Sequence, residues 1–291
     1  MSLNPPDPRA LARQARRLAK LGETPWLAQI LAARMAERLD WIKLDAQTVV
    51  LWQGLLGGGQ AALRARYPQA EILWAEPDAA EAAQRLLRAP WWQPWKRSAD
   101  RVLAPEALSP GGAQMLWASL GLLGQAEPDA LFRRWAQALA PQGYLLFSTL
   151  GPDSFKELRA LYAREGWGAA TPAWIDLHDL GDALLKAGFA DPVMDQERIT
   201  LTWADAETLW RELAALGGNL APDRHAGLRT PSWKRRWLAA ATEQLRQSDG
   251  RLALTLEFVC GHALRAEPRV PGEASVSLSS LKDQLAQRRK P

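Results

Sequence analysis

A single cysteine, Cys260, stands in the 291 residues, so neither an intramolecular disulfide nor a cysteine-cluster metal site is open to this chain. It lies in the strand-like LTLEFVCGHAL, where a buried structural thiol is expected rather than a nucleophile. Histidines are equally scarce. His178, His225 and His262 are far apart and show no metal-ligand spacing, so no metal is expected. No apolar run approaches the length that spans a bilayer. The basic N-terminus, MSLNPPDPRALARQARRLAK, lacks the continuous apolar core and small-residue cleavage site of a secretory signal, and the cytoplasm is the expected location. The net charge of +4 is modest, and the arginines are scattered among alanines and leucines as on solvated helix faces. With no nucleic-acid motif and no aromatics interleaved with a basic run, neither nucleic acid nor membrane is an expected partner; an acidic protein fits the charge.

What the chain does have is a globular composition, 47% hydrophobic and 23% charged, and a length that suits one large α/β domain with appendages or two small domains. Its 15 tryptophans are expected in the core or lining a groove. The organising stretch is Thr48 to Asp78, TVVLWQGLLGGGQAALRARYPQAEILWAEPD. Val49 to Leu51 read as a buried strand, glycines follow at Gly54 and Gly57 to Gly59, a helix carries Ala61, Leu63 and Ala65, and a second strand, Ile72 to Ala75, ends on Glu76. Glycines let a ligand approach backbone at a helix N-terminus, and a carboxylate at the next strand tip can accept both hydroxyls of a ribose. The same turn would also serve where only tight packing is needed.

Around this unit, residues 1 to 8 read as a loose arm, and Arg9 to Lys20 and Pro25 to Leu39 as two helices that form a cap, 9–40, over one end of the sheet, where in an α/β enzyme they could cover the cofactor. A helix Ala79 to Arg88 leads to a tryptophan-rich turn, APWWQPWKR at 89 to 97. Strands follow at Arg101 to Ala104, Ala113 to Leu120 and, after the helix Asp129 to Leu139 and the APQG turn, Tyr144 to Leu150. Strands alternating with helices indicate a doubly wound parallel sheet, with the four apolar runs at 49–51, 72–75, 115–120 and 145–149 adjacent and buried. Helices are expected at Ser154 to Ala163, Ile175 to Ala187, Ala206 to Leu216 and Ser232 to Gln247. A strand Arg198 to Trp203 should pair antiparallel with a long strand Arg251 to Leu264 at the sheet edge. The domain is expected to span 9–265, with 205–247 as a helical insertion over the C-terminal sheet edge and a disordered tail at 266–291 carrying at most a short helix, Leu281 to Arg289.

Read together, ERLDWIKL (37–44), the 48–78 unit, ALFRRWAQALAPQGYLLFSTLGPDSFKELR (130–159), IDLHDLGDALLKAGFADPVMDQERITLTW (175–203) and EFVCGHAL resemble the malonyl-carrier-protein O-methyltransferases of biotin synthesis (BioC type), which are class I S-adenosylmethionine-dependent methyltransferases. The resemblance covers about residues 9 to 265. It implies a Rossmann-like, seven-stranded sheet with the last strand antiparallel, S-adenosylmethionine over the C-terminal strand ends, and a lid from the N-terminal helices and the insertion. It also implies an acyl carrier protein or coenzyme A thioester as substrate. The implied cofactor residues are Gly54, Gly58, Glu76, Glu106 as a displaced adenine-side acid, and Ser119 at the end of the fourth strand.

Three positions depart from the family pattern: Trp52 replaces the first-strand acid, Leu56 the second glycine, and Gln114 the acid opening the fourth strand. These define the alternatives. An enzyme needs no general base, because a carboxylate is ionised at neutral pH and transfer requires alignment in a dry site. A cationic anchor would be wanted, and Arg224, Arg229, Lys234, Arg235 and Arg236 are candidates to face an acidic carrier, as well as an ordinary exposed helix face. A non-catalytic protein of the same fold, kept as a binding scaffold after losing its cofactor, would explain coincident losses at one site. A small-molecule methyltransferase with a remodelled pocket would suit the tryptophans.

Overall fold

The structure is a computed structural model describing residues 7–21, 23–77, 80–87, 100–125, 127–225, 227 and 229–267. The tryptophan-rich turn, the start of the N-terminal arm and nearly all of the C-terminal tail lie outside these residues.

Seven strands form one sheet: β1 Thr48–Trp52, β2 Glu71–Ala75, β3 Arg101–Leu103, β4 Ala113–Ala118, β5 Leu139–Leu150, β6 Phe189–Trp203 and β7 Leu252–Arg265. Their order is β3-β2-β1-β4-β5-β7-β6. The first five run parallel, and β7 inserts antiparallel between β5 and the edge strand β6. The expected Rossmann-like sheet is therefore present, with the four apolar runs at its centre.

Helices cover both faces: α1 Pro8–Leu21, α2 Trp26–Ala36, the single turn α3 Gly54–Gly57, α4 Gln60–Arg66, α5 Ala80–Leu87, α6 Pro128–Ala138, α7 Lys156–Glu165, α8 Leu177–Lys186, α9 Ala206–Ala215 and α10 Pro231–Gln244. Alternation along the strands divides the core. Val49, Leu51, Met115, Trp117 and Leu146 pack with α2, α4, α7, α9 and α10, whereas Val50, Trp52, Leu116, Leu145 and Phe147 pack with α6 and α8. Cys260 belongs to the first cluster, and burial pushes its thiol up to about 12, which removes it as a nucleophile.

Two strands are longer than the hydrophobic pattern predicts. β5 starts at Leu139 because Ala113 pairs with Leu139, and a register irregularity with Gln142 at φ 61 absorbs the APQG turn within the strand. β6 starts at Phe189, since most of its side chains face solvent and its pairing with β7 rather than apolar content defines it. Asp176 caps α8 by accepting the His178 N–H at 2.8 Å, so the DLHD stretch is a helix start.

Candidate active site

The first two strands end at a buried carboxyl. Glu76, 3% exposed, follows β2 and accepts the Leu55 N–H at 2.8 Å, with the Gly54 N–H also directed at it. Burial dominates these donors and raises the carboxyl from 4.5 to about 7. Beside it is a cavity of about 170 Å³ lined by Gln53, Leu55, Leu56 and Glu76, by Leu11, Gln14, Ala15 and Leu18 of α1, and by the 123–125 loop after β4. Gln53 sits in the left-handed region (φ 49), and its buried Oε1 has no hydrogen-bond partner among the described residues.

A second cavity, about 460 Å³, lies over the ends of β4 and β5 and shares Gly124 and Gln125 with the first. Its walls come from Leu122, Thr149, Pro152, Arg159, the 169–175 segment between α7 and α8, and Pro222 and Asp223. Crevices at the carboxyl ends of parallel strands are where open α/β sheets bind ligands.

Of the five implied cofactor residues, Glu76 alone lines a cavity with its side chain. Gly54 contributes its N–H, but a Cβ there would stand 2.7 Å from Leu51 and 2.9 Å from Trp74, so its lack of a side chain serves packing. Gly58 (φ +68) turns the chain, and its carbonyl accepts the Trp117 indole N–H at 3.0 Å. Ser119 is fully buried beneath the turn; its carbonyl fills the space a Gly57 side chain would need, and its hydroxyl lies 3.5 Å from that of Ser148. Glu106 stands apart from the others. Its carboxylate is exposed and paired with Arg134 at 2.8 Å, outside both cavities, because the turn after β3 points it at α6.

The three departures do not converge on the cleft. Trp52 points into the opposite face of the sheet, 5.8 Å from Trp135 in an edge-on contact. Gln114 stands at the N-terminal sheet edge, where its Oε1 accepts the Gln47 and Thr48 N–H groups at 3.1 and 2.8 Å. Leu56 does line the smaller cavity, packed with Leu18 and Leu55. The left-handed turn brings Gln53, the residue after Trp52, to the cleft, and no residue-type pattern signals it.

No family model matches the chain. Among curated proteins it is 41% identical over 249 residues to the malonyl-[acyl-carrier protein] O-methyltransferase of Laribacter hongkongensis, covering 81% of this chain and 82% of that one. The proteins of the same name from Gallionella capsiferriformans and Methylovorus sp. are each 34% identical, covering 84% and 81% of this chain and 86% and 81% of their own lengths. The chain belongs to the malonyl-[acyl-carrier protein] O-methyltransferase family. Solved structures agree on the fold: the YcgJ protein of Bacillus subtilis (TM-score 0.53, 9% identity, 80% of this chain and 98% of that one) and the BH2331 protein of Bacillus halodurans (0.54, 11%, 81% and 100%) share it.

The side chains at this cavity suit the methyl donor this family implies, with α1 closed over them. Glu76 offers two carboxylate oxygens at a strand tip, and the orphaned Gln53 Oε1 offers an acceptor for an ammonium group.

The other basic candidates are mostly engaged within the protein. Arg224 pairs with Asp7, Arg229 stacks 4.0 Å over Trp233 and donates to the Trp167 carbonyl, and Lys234 pairs with Glu207 at 2.5 Å. Arg235 and Arg236 are exposed.

Proposed function

We propose that this chain methylates the free carboxylate of a malonyl thioester, carried on an acyl carrier protein or on coenzyme A, using S-adenosylmethionine, as in biotin synthesis. The observation that carries this reading is the pair of adjoining cavities sharing Gly124 and Gln125, with the ribose-type acceptor Glu76 in the smaller one. Bound there, the donor supplies an electrophilic methyl on a sulfonium, which a carboxylate oxygen takes as the carbon–sulfur bond breaks. The protein's task is then positional. Glu76 and Gln53 hold the donor's sugar and amino-acid ends, α1 and the 123–125 loop exclude water, and the shared wall sets the two reactants side by side. No side chain has to remove a proton, because the acceptor is already an anion.

Calorimetric titration with S-adenosylhomocysteine, paired with a methyl-transfer assay on a malonyl carrier protein, tests this. Measurable binding and transfer are expected, and Glu76→Ala should weaken binding by about 3 kcal/mol or more if two charge-assisted hydrogen bonds are lost. Absence of heat at millimolar ligand would favour the non-catalytic scaffold instead.

A further inference from the structure

Among the described residues the larger cavity is lined by one cationic side chain, Arg159 of α7. It belongs to the FSTLGPDSFKELR stretch, whose first four residues end β5 and whose remainder neither the sheet nor the donor site accounts for. The guanidinium is held from behind: Nη2 donates to the Pro152 carbonyl at 2.6 Å and Nη1 to the Ser154 carbonyl. Those carbonyls belong to a turn strapped to β7. The Gly151 N–H donates to the Glu257 carbonyl at 2.9 Å, the Asp153 N–H to the buried Glu257 carboxylate at 2.8 Å, and the Ser154 hydroxyl to the Glu257 carbonyl at 3.0 Å. Phe155, at φ 56, is held in a left-handed conformation as its N–H reaches the Thr255 carbonyl at 2.7 Å, and the Glu157 carboxylate accepts the Thr255 N–H at 2.9 Å. A non-glycine residue persists in that region only where its surroundings over-determine it. The strap therefore fixes a cation whose five donors are only partly used by the two carbonyls.

Two residues lining the same cavity carry donors left unmet behind its wall. Thr171 Oγ1 and the Trp174 indole Nε1 are both buried and have no hydrogen-bond partner among the described residues. Buried donors are rarely left unmet unless something else meets them. Asp223, on a wall contributed from beyond α9, is the cavity's carboxylate and repels an anion, which leaves the Arg159 end for negative charge.

From this juxtaposition we propose that Arg159 binds the free carboxylate of the acyl substrate, while Thr171 and Trp174 donate to its thioester or amide carbonyls. The inference rests on the functional reading above and names the anchor that reading needs. It carries a consequence for specificity. Methylation neutralises the group that Arg159 holds, so the ester product loses its anchor and the site distinguishes substrate from product by charge.

The test uses malonyl-CoA and its methyl ester, titrated into the full chain saturated with S-adenosylhomocysteine, with turnover of malonyl-CoA measured in parallel. The wild type should prefer the free acid about 10- to 100-fold, the span of one or two charge-assisted hydrogen bonds. Arg159→Gln should collapse that preference, raise KM by a similar factor with a smaller effect on kcat, and leave S-adenosylhomocysteine affinity unchanged. Thr171→Val with Trp174→Phe should weaken acid and ester alike and keep the preference. Equal wild-type affinity for acid and ester overturns the proposal without recourse to any variant, as does a preference that survives Arg159→Gln. If the wild type binds the homocysteine product yet transfers no methyl to any malonyl thioester, the functional reading falls and this inference with it. Transfer with an intact preference in Arg159→Gln removes the anchor alone.

Discussion

Glu76 is held where its charge is disfavoured, and that gives the site a pH signature. Its carboxyl is raised from 4.5 to about 7 chiefly by burial, with the Leu55 and Gly54 N–H groups opposing. The folded state therefore holds a proton that the unfolded chain releases near 4.5. The stability this contributes is present below about 4.5 and is lost as pH rises to about 7, amounting to about 3 kcal/mol at most. Ligand hydroxyls favour the ionised form, so the affinity for S-adenosylhomocysteine should rise about tenfold per pH unit up to about 7 and then level off. Calorimetry from pH 5.5 to 8 would show this, and a flat profile would mean that the ribose is held elsewhere. The neighbouring pair makes a sharper contrast. Trp52 is 2% exposed among Trp135 and Phe147, so Trp52→Asp, which would restore the family's acid, should instead cost about 4 kcal/mol or more by burying a carboxylate in an apolar cluster. Gln53→Leu removes an orphaned acceptor, so it should leave thermal stability level or higher while weakening the homocysteine product about tenfold, from one lost hydrogen bond to a charged group. A melting curve and a titration of each variant decide both.

Helix α1 is the element that closes the smaller cavity, whose 170 Å³ is below the range of about 300 to 1,000 Å³ usual for ligand pockets. Three polar fastenings tie it to α9 and the segment beyond: Gln14 Nε2 donates to the Leu216 carbonyl at 3.0 Å, Arg17 to the Gly217 carbonyl at 3.3 Å, and Asp7, just before the helix, pairs with Arg224. Removing the first two in Gln14→Ala with Arg17→Ala should favour the open helix by about 1 to 3 kcal/mol, from two ordinary hydrogen bonds. Donor association should then quicken several-fold, read by stopped-flow tryptophan fluorescence; an unchanged rate would show that α1 need not move. A lid from the N-terminal helices was implied by the family resemblance, but its fastenings were not readable from residue types, because a carbonyl at Leu216 carries no sequence signal. The central strands were readable for the opposite reason: β1, β2, β4 and β5 are buried on both faces and so appear as unbroken apolar runs. The edge strand β6 was seen only in its last six residues, Arg198 to Trp203, since its partner rather than its composition makes it a strand. Within the site, Glu76 announced itself as a carboxylate at a strand tip. Gln53 and Arg159 did not, because the first depends on a left-handed turn and the second on a strap between segments about a hundred residues apart.

Across the whole molecule the charge is unevenly placed although its sum is small. In α1 the residues Arg9, Arg13, Arg16, Arg17 and Lys20 are exposed and no acid stands among them, while the helix lies over the smaller cavity. The insertion does not float free of this face. Trp203, Trp233 and Trp237 share one apolar cluster with β1 and β4, so α1 docks on a scaffold continuous with the sheet. An acidic carrier delivering a thioester to the larger cavity would then approach beside a fixed basic ridge. Exposed charges act mainly through long-range attraction that salt screens within about 8 Å at physiological ionic strength. Raising the salt concentration from 50 to 300 mM should therefore increase KM for a malonyl carrier protein by several-fold, as steering of this kind depends steeply on ionic strength. Arg13→Glu with Arg16→Glu should reproduce that increase at low salt. Both side chains lie on the solvent face, so the affinity for S-adenosylhomocysteine and the KM for malonyl-CoA should change by less than about twofold, within the usual span for surface substitutions. Should the charge-reversed protein turn over the carrier-bound substrate as the wild type does, the carrier docks away from α1, and the exposed Arg235 and Arg236 of α10 become the residues to reverse next.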